Sequence, residues 1–218
     1  MAQADPVPDD RLPADGRLAR GHRTRVKVAE ALIGLLEEGD PQPTAKEVAD
    51  RAGISVRLVF HHFEDMDSLY RSVIELQAAR HWSSMKEVPT DLPLAERIER
   101  TVRQRARLFD AIGAVRRAVT PQALRSEALS TMVAQSNVFL RDLAANTFAG
   151  ELAAAGEDRR QLLDAVDLAT SWEAWERLRA GQGLSATAAR RVIVRVLVGL
   201  LGGGANPPGG AESGDGRP

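Results

Sequence analysis

Residues 44–63 read TAKEVADRAGISVRLVFHHF, and the fold turns on this stretch. Thr44 is followed three positions later by Glu47, the spacing at which a hydroxyl and a carboxylate cap a helix start reciprocally. The spacing predicts a short helix over Ala45–Ala52. Gly53 ends it, because glycine takes a positive φ without a Cβ clash. Ser55 can cap a further helix over Val56–His62. Two helices joined by three residues must approach closely, and Ala49 supplies the small side chain that this needs. Val48, Ile54 and Val59 fill the wedge between them. The run Ala49, Gly53, Ile54, Val59 is the pattern of a helix-turn-helix, a unit whose second helix lies in the DNA major groove.

Upstream, Val26, Ala29, Ile33 and Leu36 recur three or four apart and predict a helix over Gly21–Glu38. Gly39-Asp40-Pro41 stops it. Downstream, Asp65 can cap a fourth helix, with Asp67 near its positive end. That helix carries Leu69, Val73 and Leu76 and fades near Trp82. Val88–Pro93 holds two prolines and reads as a hinge. Further helices are expected near Leu94–Gly113, Ala114–Val119, Pro121–Ala155 (with a break inside), Asp158–Ala180 and Ser185–Leu201. No strand alternation occurs, so the fold class is all-α. The expected domains are a disordered basic arm over 1–20, a three-helix helix-turn-helix domain over 21–83, a helical regulatory and dimerisation domain over 91–201, and a disordered tail over 202–218.

The composition agrees with this reading. The chain has 218 residues, 44% hydrophobic and 27% charged, ordinary proportions for a buried core. Its net charge is −1, yet Arg11, Arg17, Arg20, Arg23, Arg25 and Lys27 cluster against Asp15 alone. Such a local basic run can meet phosphates on a chain of neutral balance. With no cysteine, disulfides and zinc–thiolate sites are excluded. The longest apolar stretch, Val192–Leu201, is interrupted by Arg195 and is too short to span a membrane. No apolar run follows the N-terminus, so no signal peptide is expected. These features predict a cytoplasmic protein with no membrane partner and no cofactor.

From about Arg23 to Ile74 the chain resembles the N-terminal domain of TetR-type regulators. The likeness rests on the leading amphipathic helix, the core Thr44-x-x-x-Val48-Ala49 with Ala52-Gly53-Ile54-Ser55, the ending Phe60-His61-His62-Phe63, and Leu69 after an acidic helix start. The resemblance implies a homodimer, paired through its last two helices, that binds a palindromic operator on double-stranded DNA. It implies a repressor that a small-molecule effector in the C-terminal domain releases. By position, Thr44 corresponds to a phosphate contact, and Ser55, Val56, Arg57, Phe60, His61 and His62 to the reading helix. Arg57 stands where the family often has Gly, and either reads guanine or contacts a phosphate. Phe60 replaces a usual Tyr, which leaves packing against backbone or a thymine methyl. Met66 replaces a frequent Lys, and Arg23, Arg25 or the arm can compensate.

Adjacent His61 and His62 point about 100° apart on a helix and do not suit one metal ion. No catalytic motif stands in the chain, so an enzyme is not expected. Phe109, Phe139, Phe148, Trp172 and Trp175 are candidates to line an effector pocket, since such pockets are mostly apolar. Leu162, Ala165, Val166, Ala169 and Trp172 form one stripe, widened by Leu168, Trp175 and Leu178. On the last helix Val192, Ile193, Val196, Leu197 and Leu200 form another, with Val194, Val198 and Leu201 on further sides. The alternative to a regulator is a helical ligand-binding or protein-interaction module with weak or lost DNA binding.

Overall fold

The computed structural model describes residues 16–202, which form ten α-helices and no strand. They divide into two compact units. The first holds the residues up to Arg80 together with Ala114–Ser130, and the second holds His81–Gly113 with the residues from Thr131 onward.

In the first unit the helices are α1 (Gly16–Glu37), α2 (Ala45–Ala52), α3 (Val56–His62) and α4 (Met66–His81, whose last residue passes to the second unit). α1 begins at Gly16 rather than Gly21. Leu18, Ala19 and Arg20 are good helix formers, and a helix anchored at one end extends cheaply by one bond per residue. The rest of the expected arm, residues 1–15, and the tail beyond Gly202 lie outside the described residues. Val28, Ala29 and Leu32 of α1, Val48 and Ala49 of α2, Val59 of α3, Phe63, and Leu69 and Val73 of α4 are all buried. Each large apolar side chain among them contributes about 1.5–3 kcal/mol. Arg51 of α2 grips Glu38 with two nitrogens at 2.5 and 2.8 Å. Its guanidinium lies across Gly34, where a Cβ would stand only 2.6–2.8 Å away, so a side chain at position 34 would push the Arg51 guanidinium aside.

The second unit is built from the first part of α5 (Leu94–Ala123), most of α6 (Glu127–Thr147), and α7 (Ala149–Ala154), α8 (Arg159–Ala169), α9 (Trp172–Glu176) and α10 (Ala186–Gly202). Its core gathers Ile98, Val102, Phe109, Phe148, Leu152, Val166, Trp175, Ile193 and Leu197, among others. Several boundaries depart from expectation. The helices predicted on either side of Gly113 are one helix, because a single internal glycine costs only about 1 kcal/mol and this one is buried. Pro121 lies inside the end of α5 instead of opening the next helix. There the Thr120 and Gln122 side chains donate to the carbonyls of Arg116 and Ala118 one turn back.

The segment predicted over Asp158–Ala180 breaks at Thr170. Ser171 caps α9 by accepting from the Ala174 amide at 3.1 Å, and a wider π-type turn follows over Arg177–Gly181. Leu168 does not widen the stripe; it is 70% exposed while Trp175 and Leu178 are buried. On α10 the buried stripe is Ala189, Ile193, Leu197 and Leu201, whereas Val192, Val196 and Val198 are exposed. Leu201 thus belongs to the covered face and Val192 and Val196 do not.

Candidate nucleic-acid interface

The interface is organised by three local devices. At the start of α2, the Thr44 hydroxyl accepts from the Glu47 amide at 3.3 Å, and Glu47 accepts from the Thr44 amide at 2.7 Å and from its hydroxyl at 2.6 Å. These bonds from Thr44 hold the Glu47 carboxyl below its usual range. A phosphate arriving at Thr44 would therefore meet a carboxylate already holding that hydroxyl. At the turn, Gly53 takes φ +63°, and the amide of Ile54 returns to the Ala49 carbonyl at 3.0 Å. At the start of α3, the Ser55 hydroxyl accepts from the Leu58 amide at 3.2 Å.

Side chains on α3 follow at about 100° intervals. Val59 is buried and fixes the inward direction. Arg57 and His61 then point roughly opposite, and both are exposed. Val56 and Phe60 form one shoulder, at 37% and 46% exposure, and Leu58 and half-buried His62 form the other. Leu58 was not among the expected contacts, although the same helical period places it at the edge of the outward face. Lys27 of α1 also reaches the turn, with its ammonium 3.9 Å from where a Gly53 Cβ would stand.

Arg25 and Arg23 differ in placement. Arg23 is exposed. Arg25 is half-buried, donates to the His62 carbonyl, and stacks over the Phe63 ring at 4.4 Å from its centroid. It fastens the end of α3 to α1. His62 is pushed below the ordinary imidazole range, first by burial, then by the charges of His61 and Arg25. The two imidazoles meet edge-on at 5.3 Å between ring centres. Met66 is half-buried and borders a cavity within the first unit, beside Pro43, Tyr70 and Gln122.

In the second unit the five aromatic pocket candidates are dispersed. Phe109 packs edge-on against Trp172, Phe148 is buried beneath the Arg97 guanidinium, and Trp175 lies under Arg179. Phe139 is 40% exposed and meets Trp82 edge-on. Trp172 alone among them borders a cavity of about 300 Å³, whose wall includes Arg105, Leu140, Arg141, Asp164 and Asp167. Arg141 bonds Asp164 at 2.5 Å and Asp167 at 3.2 Å. Arg105 is buried and donates to the Leu140 carbonyl; burial pushes its pKa down to about 10, against the pull of Asp167. These polar wall residues come from α5, α6 and α8, and no short-range pattern ties them together in the sequence.

Among the described residues no helix is long and apolar enough to cross a membrane. No curated protein matches the chain. The family described as bacterial regulatory proteins, tetR family, matches over residues 29–73. Among solved structures, one from Rhodococcus sp. described as TetR-family aligns over 84% of this chain and 99% of its own, at 15% identity and TM-score 0.62. A tetR-family transcriptional regulator from Streptomyces coelicolor aligns over 81% of each chain at 20% identity and TM-score 0.60. Salmonella enterica GusR aligns over 83% of this chain and 96% of its own, at 18% identity and TM-score 0.59. Residues 29–73 therefore match the tetR-family N-terminal model, and the chain shares the fold of these solved TetR-family structures.

Proposed function

We propose that this chain is a DNA-binding transcription regulator, a repressor that holds a palindromic operator as a homodimer and is released by a small-molecule effector. The observation that carries the reading is the outward face of α3, where Arg57 and His61 stand exposed on a helix fixed by the Ser55 cap and by Arg25. Arg57 reads a guanine edge; Ser55, Val56, Phe60, His61 and His62 complete the groove surface, with Thr44 and Arg23 at the phosphates. Arg25 acts by holding α3 in place. The DNA-binding domain spans 21–83 and the regulatory domain 91–201. Leu168, Val192, Val196 and Val198 give α8 and α10 uncovered apolar surface of the kind a second copy would bury. The cavity beside Arg105 and Trp172 is the proposed effector site. The protein acts in the cytoplasm by binding rather than catalysis.

The test is selection from random double-stranded DNA at about physiological salt, because phosphate contacts make affinity salt-dependent. An inverted repeat is expected. Arg57→Ala should leave stability within about 0.5 kcal/mol, since the residue is exposed. It should remove about 1–3 kcal/mol of discrimination at one base pair per half-site. Unchanged preference in Arg57→Ala would remove Arg57 from the reading. Enrichment of no sequence by the folded protein would leave an interaction module as the better account.

A further inference from the structure

We propose that the Val56–Phe60 shoulder of α3 reads thymine C5-methyl groups, so that each half-site pairs a guanine under Arg57 with thymine beside it. The inference rests on the DNA-binding reading above. Val56 and Phe60 are four residues apart and share one helix face, and they are 37% and 46% exposed although Val59 of the same helix is buried. Among the described residues of the first unit, the other exposed large hydrophobics are Leu58 on this same helix and Leu124 on the segment after α5. The apolar exposure is thus concentrated on α3.

The chemistry of the groove narrows what can cover it. The major-groove edges of base pairs offer hydrogen-bond donors and acceptors and a single apolar group, the thymine C5-methyl. Phe60 has no hydroxyl to give a phosphate, and Val56 has no polar atom at all. Arg57 lies between them in sequence and projects at about 100° from Val56, so the guanidinium and the apolar shoulder address neighbouring positions. A methyl group removed from water contributes about 0.8 kcal/mol, which is roughly fourfold in affinity. One methyl in each half of a palindrome therefore gives roughly fifteenfold.

The experiment uses the full chain and two random duplex libraries, one made with thymidine and one with deoxyuridine, which lacks only the C5-methyl. The site recovered from the thymidine library is then remade with deoxyuridine at each thymine in turn, and affinity is measured by fluorescence anisotropy. The expected result is a loss of roughly fourfold per half-site contact at one or two thymines beside the guanine, and none at the others. Phe60→Ala and Val56→Ala, with circular dichroism unchanged, should weaken the thymidine duplex but cause no further loss on the substituted one. Equal affinity for both duplexes, or an even loss at every thymine, would overturn the methyl reading while DNA binding stands. A library that yields no site in either form would overturn the DNA-binding reading itself.

Discussion

Between Thr44 and Phe63 the helix ends are secured by their immediate neighbours: Thr44 with Glu47, Gly53 with Ala49 and Asp50, Ser55 with Leu58. In the second unit α7 and α8 begin without a capping side chain. There the holding is done at a distance. Arg97 reaches Glu151 with two nitrogens at 2.8 and 2.5 Å, and also bonds the carbonyls of Leu92 and Thr147. Arg141 ties α6 to two aspartates of α8. The ends of α2 and α3 are thus set mainly by short-range bonds, with Arg25 of α1 as the one distant tie described for α3. The second unit keeps local caps at α9 and α10, from Ser171 and Ser185, and adds pairs brought together by packing.

If that contrast holds, its two sides fail differently. The largest effect is expected for Phe63→Ala, which empties a 2%-exposed ring site and removes the seat of Arg25. It should cost about 3–5 kcal/mol in urea unfolding. Arg97→Ala comes next. It leaves Glu151, whose carboxyl this pair holds below the usual range, partly buried and unpaired. Discounted for the 19% exposure of the Glu151 side chain, about 2 kcal/mol is expected. Thr44→Ala removes one cap and should cost about 1 kcal/mol without moving the second unit. A Thr44→Ala loss that spread to the second unit would break the contrast.

The smallest effect concerns pH. His62 lies below the ordinary 6.5, so the folded chain takes up this proton less readily than the unfolded one. Stability from this site is full above about pH 6.5 and falls as the pH drops through and below it. His62→Gln should flatten that part of the stability–pH curve, read as denaturant midpoints at about pH 7.5 and about pH 5.5. An unchanged slope would remove His62 as its source.

The same contrast governs what could be read from residues alone. α2 and α3 begin and end where Thr44, Gly53 and Ser55 set them, because each signal acts within four positions. The run through Gly113 misled, since this glycine is buried inside one continuous helix and no neighbouring residue announces it. The break at Thr170 is marked only weakly, by Ser171 in an otherwise apolar stripe. The resemblance pointed to Val56, Arg57, Phe60 and His61, which are exposed, but also to half-buried His62, and it left out exposed Leu58; Arg25 carried charge enough to suggest phosphate, but its bond to His62 joins residues 37 apart. The cavity wall is farther still from local logic: Arg105, Arg141 and Asp167 come from separate helices, and of the aromatic candidates Trp172 alone borders it.

The edge-on pair of Trp82 with Phe139 and the buried pair Trp172 and Trp175 have a consequence for anyone watching this protein in a spectrometer. All three tryptophans of the chain lie in the second unit, and the one tyrosine, Tyr70, lies buried in the first. Indole emission is an optical label for one half of the molecule alone. Melting of the half that holds α2 and α3 is silent in that channel, and belongs to tyrosine absorbance and to circular dichroism. An emission change on adding a small molecule would address the half that holds the cavity bordered by Trp172.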